Sequence, residues 1–318
     1  MDSTHNIPSV DLADFLSGDT SRKRAFVEKL GKAYEEIGFV AVKNHGLSET
    51  LSNQLYQQVQ AFFELPATLK NQYEIDGLAG QRGYTSFGKE HAKGRNTGDL
   101  KEFWHFGQYV EDEDPIQEEY PANIIVKELP EFNAVGKEAY QTLEHTGRNM
   151  LRAIALYLGL EENYFDSRIH NGNSILRPIH YPPITGEPQD AVRAAEHEDI
   201  NLITLLMGAS AEGLEVMNKK GAYVPVTALP EQIIVNVGDM LQRLTNNKLR
   251  STTHRVVNPP REKWGKSRYS IPFFLHPRSE MLLNCLDECV DAEHPKQYED
   301  ITAGEYLNER LAEIGLKK

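Results

Sequence analysis

Three residues in two places are of the types that bind metal ions: His197 and Asp199 in Ala195-Glu196-His197-Glu198-Asp199-Ile200, and His254 in Thr253-His254-Arg255. Two imidazoles and a carboxylate suit a divalent first-row metal. Set on one face of an octahedron, they leave three positions open for small molecules. Side chains alternate along a β-strand, so the H-x-D spacing predicts His197 and Asp199 on one face and Glu198 on the other. His254 must then arrive from another strand. H-x-D alone is a weak signal, because short motifs recur by chance and most histidines beside apolar runs are core or surface residues.

Farther along, Arg268-Tyr269-Ser270 places Arg268 and Ser270 on one strand face by the same period of two. A guanidinium binds both oxygens of a carboxylate and stays charged when desolvated, so Arg plus a hydroxyl makes a carboxylate receiver. An isolated Arg-x-Ser is ordinarily a surface arginine on a strand. Downstream of His197, Asp199 and His254 it becomes an anchor for a dicarboxylate beside an iron site.

Other segments occur in a recognisable order. Near the start are Ile7-Pro8-Ser9-Val10-Asp11-Leu12 and Gly38 through Gly46, followed by Phe62-Phe63-Glu64-Leu65-Pro66, Arg82-Gly83-Tyr84 and Asp99-Leu100-Lys101-Glu102. Then come Arg177 through Pro183, Asn236-Val237-Gly238-Asp239, His254-Arg255-Val256-Val257 and Arg268 through Phe274. With the triad, this series resembles the isopenicillin-N-synthase-like group of iron(II)/2-oxoglutarate-dependent oxygenases over nearly the whole chain. The resemblance implies a double-stranded β-helix, or jelly roll, with Fe(II) on His197, Asp199 and His254. It implies 2-oxoglutarate held by its oxo acid end at the metal and by its far carboxylate at Arg268 and Ser270, with Tyr181 hydrogen-bonded to it. O₂ is the oxidant, succinate and CO₂ are products, and a prime substrate is hydroxylated, desaturated or cyclised. Two alternatives stay open: an Fe(II) oxidase of the same fold that does not use 2-oxoglutarate, of the isopenicillin N synthase or aminocyclopropanecarboxylate oxidase type, and a non-catalytic jelly-roll protein binding a metal or small acid.

The chain departs from the family pattern in two places. Members often read Arg-x-Asn-Tyr-Tyr-Pro before the iron ligands, whereas Arg177-Pro178-Ile179-His180-Tyr181-Pro182 lacks the Asn. Alternation turns His180 away if Tyr181 faces inward. Pro272 interrupts the Arg268 strand and predicts a bulge or an unpaired N–H there. Phe274 and His276 fall on the face of Arg268 and Ser270. Tyr84, Phe87, Phe103, His105 and Arg177 are further candidates for substrate contact, from segments that face the site in relatives; each is also an ordinary packing residue. Arg177 and Arg193 together suggest a small polar acid as substrate. Asn236 and Asp239 read as turn formers around Gly238.

The elements that must position these residues divide the 318-residue chain in two. Residues 1–160 read as a mainly helical region, with helices over 21–37, 49–63 and 131–158 and a short strand Phe39–Val42. Gly38 and Gly159 read as helix stops. Residues 161–318 read as short strands between recurrent Gly and Pro turns, the β-helix core, ending in an amphipathic helix from Ile301 to Ile314 capped near Thr302. The fold class is therefore mainly β with α, and the absence of a low-complexity linker suggests one compact unit. Residues 78–98, with Gly83, Gly88, Gly94 and Gly98 among charged residues, read as a mobile loop and a candidate lid over the metal.

Composition fits an enzyme: 40% hydrophobic and 25% charged residues are ordinary globular values. A net charge of −13 disfavours nonspecific binding to nucleic acid or an anionic membrane. No apolar run is long enough to span a bilayer and the start has no secretory signature, so a cytoplasmic enzyme is expected. Cys285 and Cys289, the two cysteines, make no disulfide framework and read as free thiols.

Overall fold

Alternation along three central strands separates an apolar helix-facing side from a polar interior. In the computed structural model, which describes residues 7–78, 80–90, 98–111, 113–188, 191–207, 213–226 and 229–313, thirteen strands form two sheets among those residues. In chain order they are β1 (Ser9–Asp11), β2 (Phe39–Lys43), β3 (Gly83–Thr85), β4 (Glu102–Gly107), β5 (Ile175–Leu176), β6 (Ile179–Tyr181) and β7 (Ala194–His197). There follow β8 (Ile203–Met207), β9 (Leu214–Met217), β10 (Tyr223–Pro225), β11 (Ile233–Val237), β12 (His254–Val256) and β13 (Arg268–Leu275). The larger sheet runs β1-β2-β11-β8-β13-β5-β4-β3, with β6 pairing β13 and β4, and the smaller runs β10-β9-β12-β7. The two sheets are the jelly roll, and the cavity between them is lined from both.

On β8, β11 and β13 the side chains of Ile203, Leu205, Ile233, Val235, Ile271, Phe273 and Leu275 join the main core. Their neighbours Thr204, Leu206, Asn236, Arg268, Ser270, Pro272 and Phe274 line the cavity. The helix Pro130–Tyr157 covers the outer face. Gly147 lets it lie close, since a Cβ there would come within 2.8 Å of Leu275 Cδ1. Helices Thr20–Glu36 and Glu49–Phe63 pack on that long helix and are capped by Asp19 and Ser48.

The boundaries of the three helices expected in the first 160 residues fall within a residue of those read from periodicity. The first 160 residues differ in carrying four strands rather than one: β1 and β2 extend the large sheet at one edge, β4 and β3 at the other. β1 and β3 have three residues each, too short to show a period. The segment 78–98 is likewise not all loop, because β3 lies within it; residues 91–97, with Gly94, lie outside the described residues. The C-terminal helix spans Ala303–Glu313, with Ile314 outside the described residues. Thr302 and Glu305 form its reciprocal capping box: Glu305 N donates to Thr302 Oγ1 at 3.3 Å and Thr302 N to Glu305 Oε2 at 3.0 Å.

β13 passes through Pro272 without the bulge that was one of the two outcomes expected. Pro272 pairs with Leu206, and its carbonyl accepts from Arg177 N at 2.9 Å. Pro272 has no N–H to return to Arg177, so the interruption appears in the neighbouring strand, as the gap between β5 and β6.

Gly38 ends the helix Thr20–Glu36 with φ +74°, its N–H donating to Ala33 O at 3.1 Å. A Cβ there would stand 2.2 Å from Arg250 O. Gly38→Ala combines left-handed strain with a backbone clash, and a loss of about 2–4 kcal/mol in urea denaturation is expected. A change below about half a kcal/mol would show that the turn relaxes freely.

Candidate metal centre

Antiparallel pairing of β12 with β7 sets His254 directly opposite His197. Their ring centroids lie 4.4 Å apart. β7 ends at His197, so Asp199 is not its same-face strand neighbour as the H-x-D spacing predicted. The chain bends after His197, and the Asp199 carboxylate is instead brought in by its own hydrogen bonds. Thr204 Oγ1 donates to Asp199 Oδ2 at 2.6 Å and Asn236 Nδ2 donates to the same oxygen at 2.8 Å. Oδ1 is left facing His254 Nε2 at 3.5 Å and His197 Nε2 at 3.8 Å. One ligand atom from each of the three residues lies within 4.8 Å of the others.

The donor set fits a divalent cation. Nδ1 of His197 is 2.7 Å from Ala195 O and Nδ1 of His254 is 3.1 Å from Thr252 O, so both rings turn Nε2 inward. Burial, then His254 beside it, pushes the His197 imidazole down to about 4, which leaves it neutral and able to ligate. Burial opposes the charge of Asp199, but His254, then His197 and the Asn236 amide, outweigh it and hold the carboxyl well below its usual range. The Asp199 carbonyl also accepts from Asp239 N at 2.9 Å, which ties the ligand loop to the short helix Asp239–Leu244.

The carboxylate receiver opens onto the same cavity, whose volume is about 200 Å³. Arg268, 1% exposed, stands opposite Tyr181 in the β13–β6 pairing, its guanidinium 4.9 Å from the tyrosine ring centre. Ser270 and Tyr181 are buried beside it, and Leu206, Leu214 and Val256 supply aliphatic wall. A buried cation beside a buried hydroxyl and a buried phenol fits the far carboxylate of a short dicarboxylate.

The candidate substrate residues separate into layers. Arg177, Phe274 and His276 line the cavity. Phe103 and His105 lie one layer back and reach it through Arg177, which stacks 4.4 Å over the Phe103 ring and donates from Nε to His105 Nε2 at 2.5 Å. Tyr84 faces the helices instead, in the main core, with its hydroxyl donated to Glu102. Phe87 is 50% exposed and off the cavity. Arg193 is buried away from the lining, donating to Lys266 O. His180 turns away as expected, between Glu102 at 2.7 Å and Ser267 at 3.0 Å.

Several lining residues had no role in the sequence reading. Glu90, Asp99 and Lys101 form a buried ionic cluster, and Thr204 and Asn236 orient Asp199. Asn236 is thus a strand residue aimed at Asp199, not a turn former; a polar residue inside the apolar run Ile233–Val237 was the available signal. Leu307, Arg310 and Leu311 of the C-terminal helix also reach the cavity, although their spacing reads as ordinary packing. Gln81 and Glu90, from within the segment 78–98 expected as a lid, line it too. Cys285 and Cys289 are free, buried thiols.

Comparison with known proteins agrees with this geometry. Residues 7–128 match the family model described as non-haem dioxygenase in morphine synthesis N-terminal, and residues 172–277 that of the 2OG-Fe(II) oxygenase superfamily. A 2-oxoglutarate-Fe(II) type oxidoreductase of Metarhizium majus is 31% identical over 96% of this chain and 94% of its own. A proline hydroxylase of Petromyces alliaceus is 34% identical, covering 96% and 98%. Among solved structures, a chain from Caulobacter crescentus described within the 2OG-Fe(II) oxygenase family superposes with TM-score 0.86 at 42% identity, covering 97% of this chain and 99% of that one. A full-length Neurospora crassa protein, solved in complex with α-ketoglutarate and thymine, gives 0.85 at 29% identity and 98% coverage of both.

The Asn236 contact is testable. Asn236→Ala removes one of the two hydrogen bonds on Asp199 Oδ2, and Fe(II) affinity measured anaerobically is expected to fall by about 10- to 100-fold with the melting temperature little changed. Unaltered affinity would assign Asn236 to packing alone.

Proposed function

Because the chain belongs to the 2OG-Fe(II) oxygenase superfamily, we propose that His197, Asp199 and His254 hold its iron, and that Arg268, Ser270 and Tyr181 hold its 2-oxoglutarate. The enzyme is an Fe(II)/2-oxoglutarate-dependent dioxygenase, coupling oxidative decarboxylation of 2-oxoglutarate to succinate and CO₂ with oxidation of a substrate by O₂. One observation carries the residue assignment: three metal-type donors and a buried arginine anchor open onto one cavity.

Iron supplies the oxidising chemistry once bound with O₂ and co-substrate. The protein's own contribution is positional. His197 and His254 present Nε2 lone pairs because their Nδ1 atoms face backbone carbonyls. Asp199 presents one oxygen because Thr204 and Asn236 occupy the other. Arg268 would fix the far carboxylate, so that the oxo acid end is directed to the metal side, along an apolar wall of Leu206, Leu214 and Val256. Arg177, Phe274 and His276 are the proposed contacts of a small-molecule substrate. Burial pushes His276 down to about 4, so it offers a neutral ring.

No helix among the described residues is long and apolar enough to cross a membrane. Two buried free thiols suit a reducing compartment, which supports the cytoplasm as the working location. A net charge of −13 supports a small-molecule partner rather than nucleic acid or an anionic membrane.

Two substitutions test the assignment. His254→Ala is expected to abolish Fe(II) binding and turnover while circular dichroism stays as in the wild type; full iron loading in the variant would overturn it. Arg268→Leu is expected to weaken 2-oxoglutarate binding by well over tenfold, since an unpaired buried carboxylate costs about 2–5 kcal/mol. Equal affinities by calorimetry would mean the carboxylate is held elsewhere.

A further inference from the structure

On the substrate side of the cavity, the cations are already matched by carboxylates. Among the described lining residues the cations are Lys101, Arg177, Arg268 and Arg310. Lys101 Nζ lies 2.7 Å from Glu90 Oε1 and 2.9 Å from Asp99 Oδ2. Arg177 Nη1 is 3.3 Å from Glu90. Arg310 contacts Glu313 at 2.6 Å and Asp239 at 3.4 Å. Arg268 is assigned to the co-substrate. Glu196 and Glu198 add negative charge to the same lining. A substrate carboxylate would therefore enter a desolvated site without its own counter-charge, or would have to break a buried pair and strand one member.

The same ion pair presents polar groups for an uncharged ligand. Glu90 Oε2 is buried and accepts no hydrogen bond among the described residues, although it stands 3.3 Å from Arg177 Nη1. Arg177 spends Nε on His105 and Nη1 on Glu90, and its Nη2 donates to nothing among the described residues. The guanidinium plane is fixed by Phe103 at 4.4 Å and Phe274 at 5.1 Å. Gln81 Oε1 is also buried on this lining, with no hydrogen-bond partner among the described residues. One acceptor and one donor, side by side on a clamped pair, match a group that carries a carbonyl next to an N–H.

We propose that the prime substrate presents an uncharged amide-type edge, such as a lactam, cyclic imide or carboxamide, with its carbonyl on Arg177 and its N–H on Glu90. This rests on the oxygenase reading above and replaces the small acid expected from Arg177 and Arg193: Arg193 is off the cavity, and Arg177 is paired.

The test uses the full chain loaded with Fe(II) and 2-oxoglutarate under nitrogen. Calorimetry compares uracil with orotate, 2-pyrrolidinone with 5-oxoproline, and nicotinamide with nicotinate. The neutral member is expected to bind at least about tenfold more tightly in one or more pairs, with no pair reversed. Glu90→Gln removes the counter-charge of Arg177, while Lys101 keeps Asp99, and is expected to tighten the carboxylate members by about tenfold or more, erasing the preference. Carboxylate members that bind the wild type as well as the neutral ones, or no neutral preference in any pair, overturn the proposal, whatever the stability of the variant. Titration of 2-oxoglutarate comes first and keeps the two readings apart. Failure there removes the co-substrate assignment, whereas normal 2-oxoglutarate binding without a neutral preference sinks the substrate class alone.

Discussion

The antiparallel contact between His254 and His197 is the constraint on which the rest of this structure depends. Two rings from distant parts of the chain meet because β12 lies between β9 and β7 in the smaller sheet. That sheet faces the larger one across the cavity, so the bend after β7 carries Asp199 towards the larger sheet, which also supplies the carboxylate receiver. Asp199 is reached by Thr204 on β8 and Asn236 on β11, two adjacent strands of the larger sheet. The proposed metal set is thus a bridge between sheets, made of hydrogen bonds as much as of donor atoms.

Behind the site, strand alternation keeps two incompatible environments a short distance apart. β13 sends Ile271, Phe273 and Leu275 into the helices and Arg268, Ser270 and Phe274 into the cavity. β4 does the same in another register: Trp104 and Phe106 join the helix-side core, while Phe103 and His105 back the Arg177 guanidinium. Glu102 and Lys101 are chain neighbours that serve different clusters. Glu102 meets Lys70 at 2.8 Å, Tyr84 and His180, and Lys101 meets Glu90 and Asp99. A one-residue slip in β4 would exchange these partners and leave several charges buried unpaired.

Such buried charge clusters add little net stability for the desolvation they require, but they discriminate. Glu90 is held ionised against burial by Arg177 and Lys101, and His105 is kept neutral by burial and by Arg177. The wall facing the metal is consequently polar and self-neutralised. A neutral cluster of this kind suits the uncharged amide-type edge proposed for the substrate, which hydrogen-bond geometry rather than net charge would select. The C-terminal helix closes another side through Leu307, Arg310 and Leu311, with Tyr306 donating to Asp239 at 2.9 Å, so the end of the chain is joined to the helix behind Asp199.

The sequence by itself determined the metal-binding residue types, the arginine–serine pair and the helices. Each rests on a local rule: a period of about 3.6 for the helices, a period of two for Arg268 and Ser270, and a glycine at the left-handed turn Gly38. The long helix and the inward face of β13 were legible because their patterns extend over many residues. Tertiary structure alone decided the rest. Asp199 reaches the metal side by a bend and two hydrogen bonds rather than by strand alternation, because β7 stops at His197. Tyr84 and Phe87 lie off the cavity and Glu90 on it, because β3 pairs with β4 in a register that no short segment encodes. Arg177 is neutralised by Glu90, a pairing across much of the chain that spacing cannot reveal. Local propensity sets which face a side chain takes, whereas the partner it meets there is set by which strands come to lie beside one another.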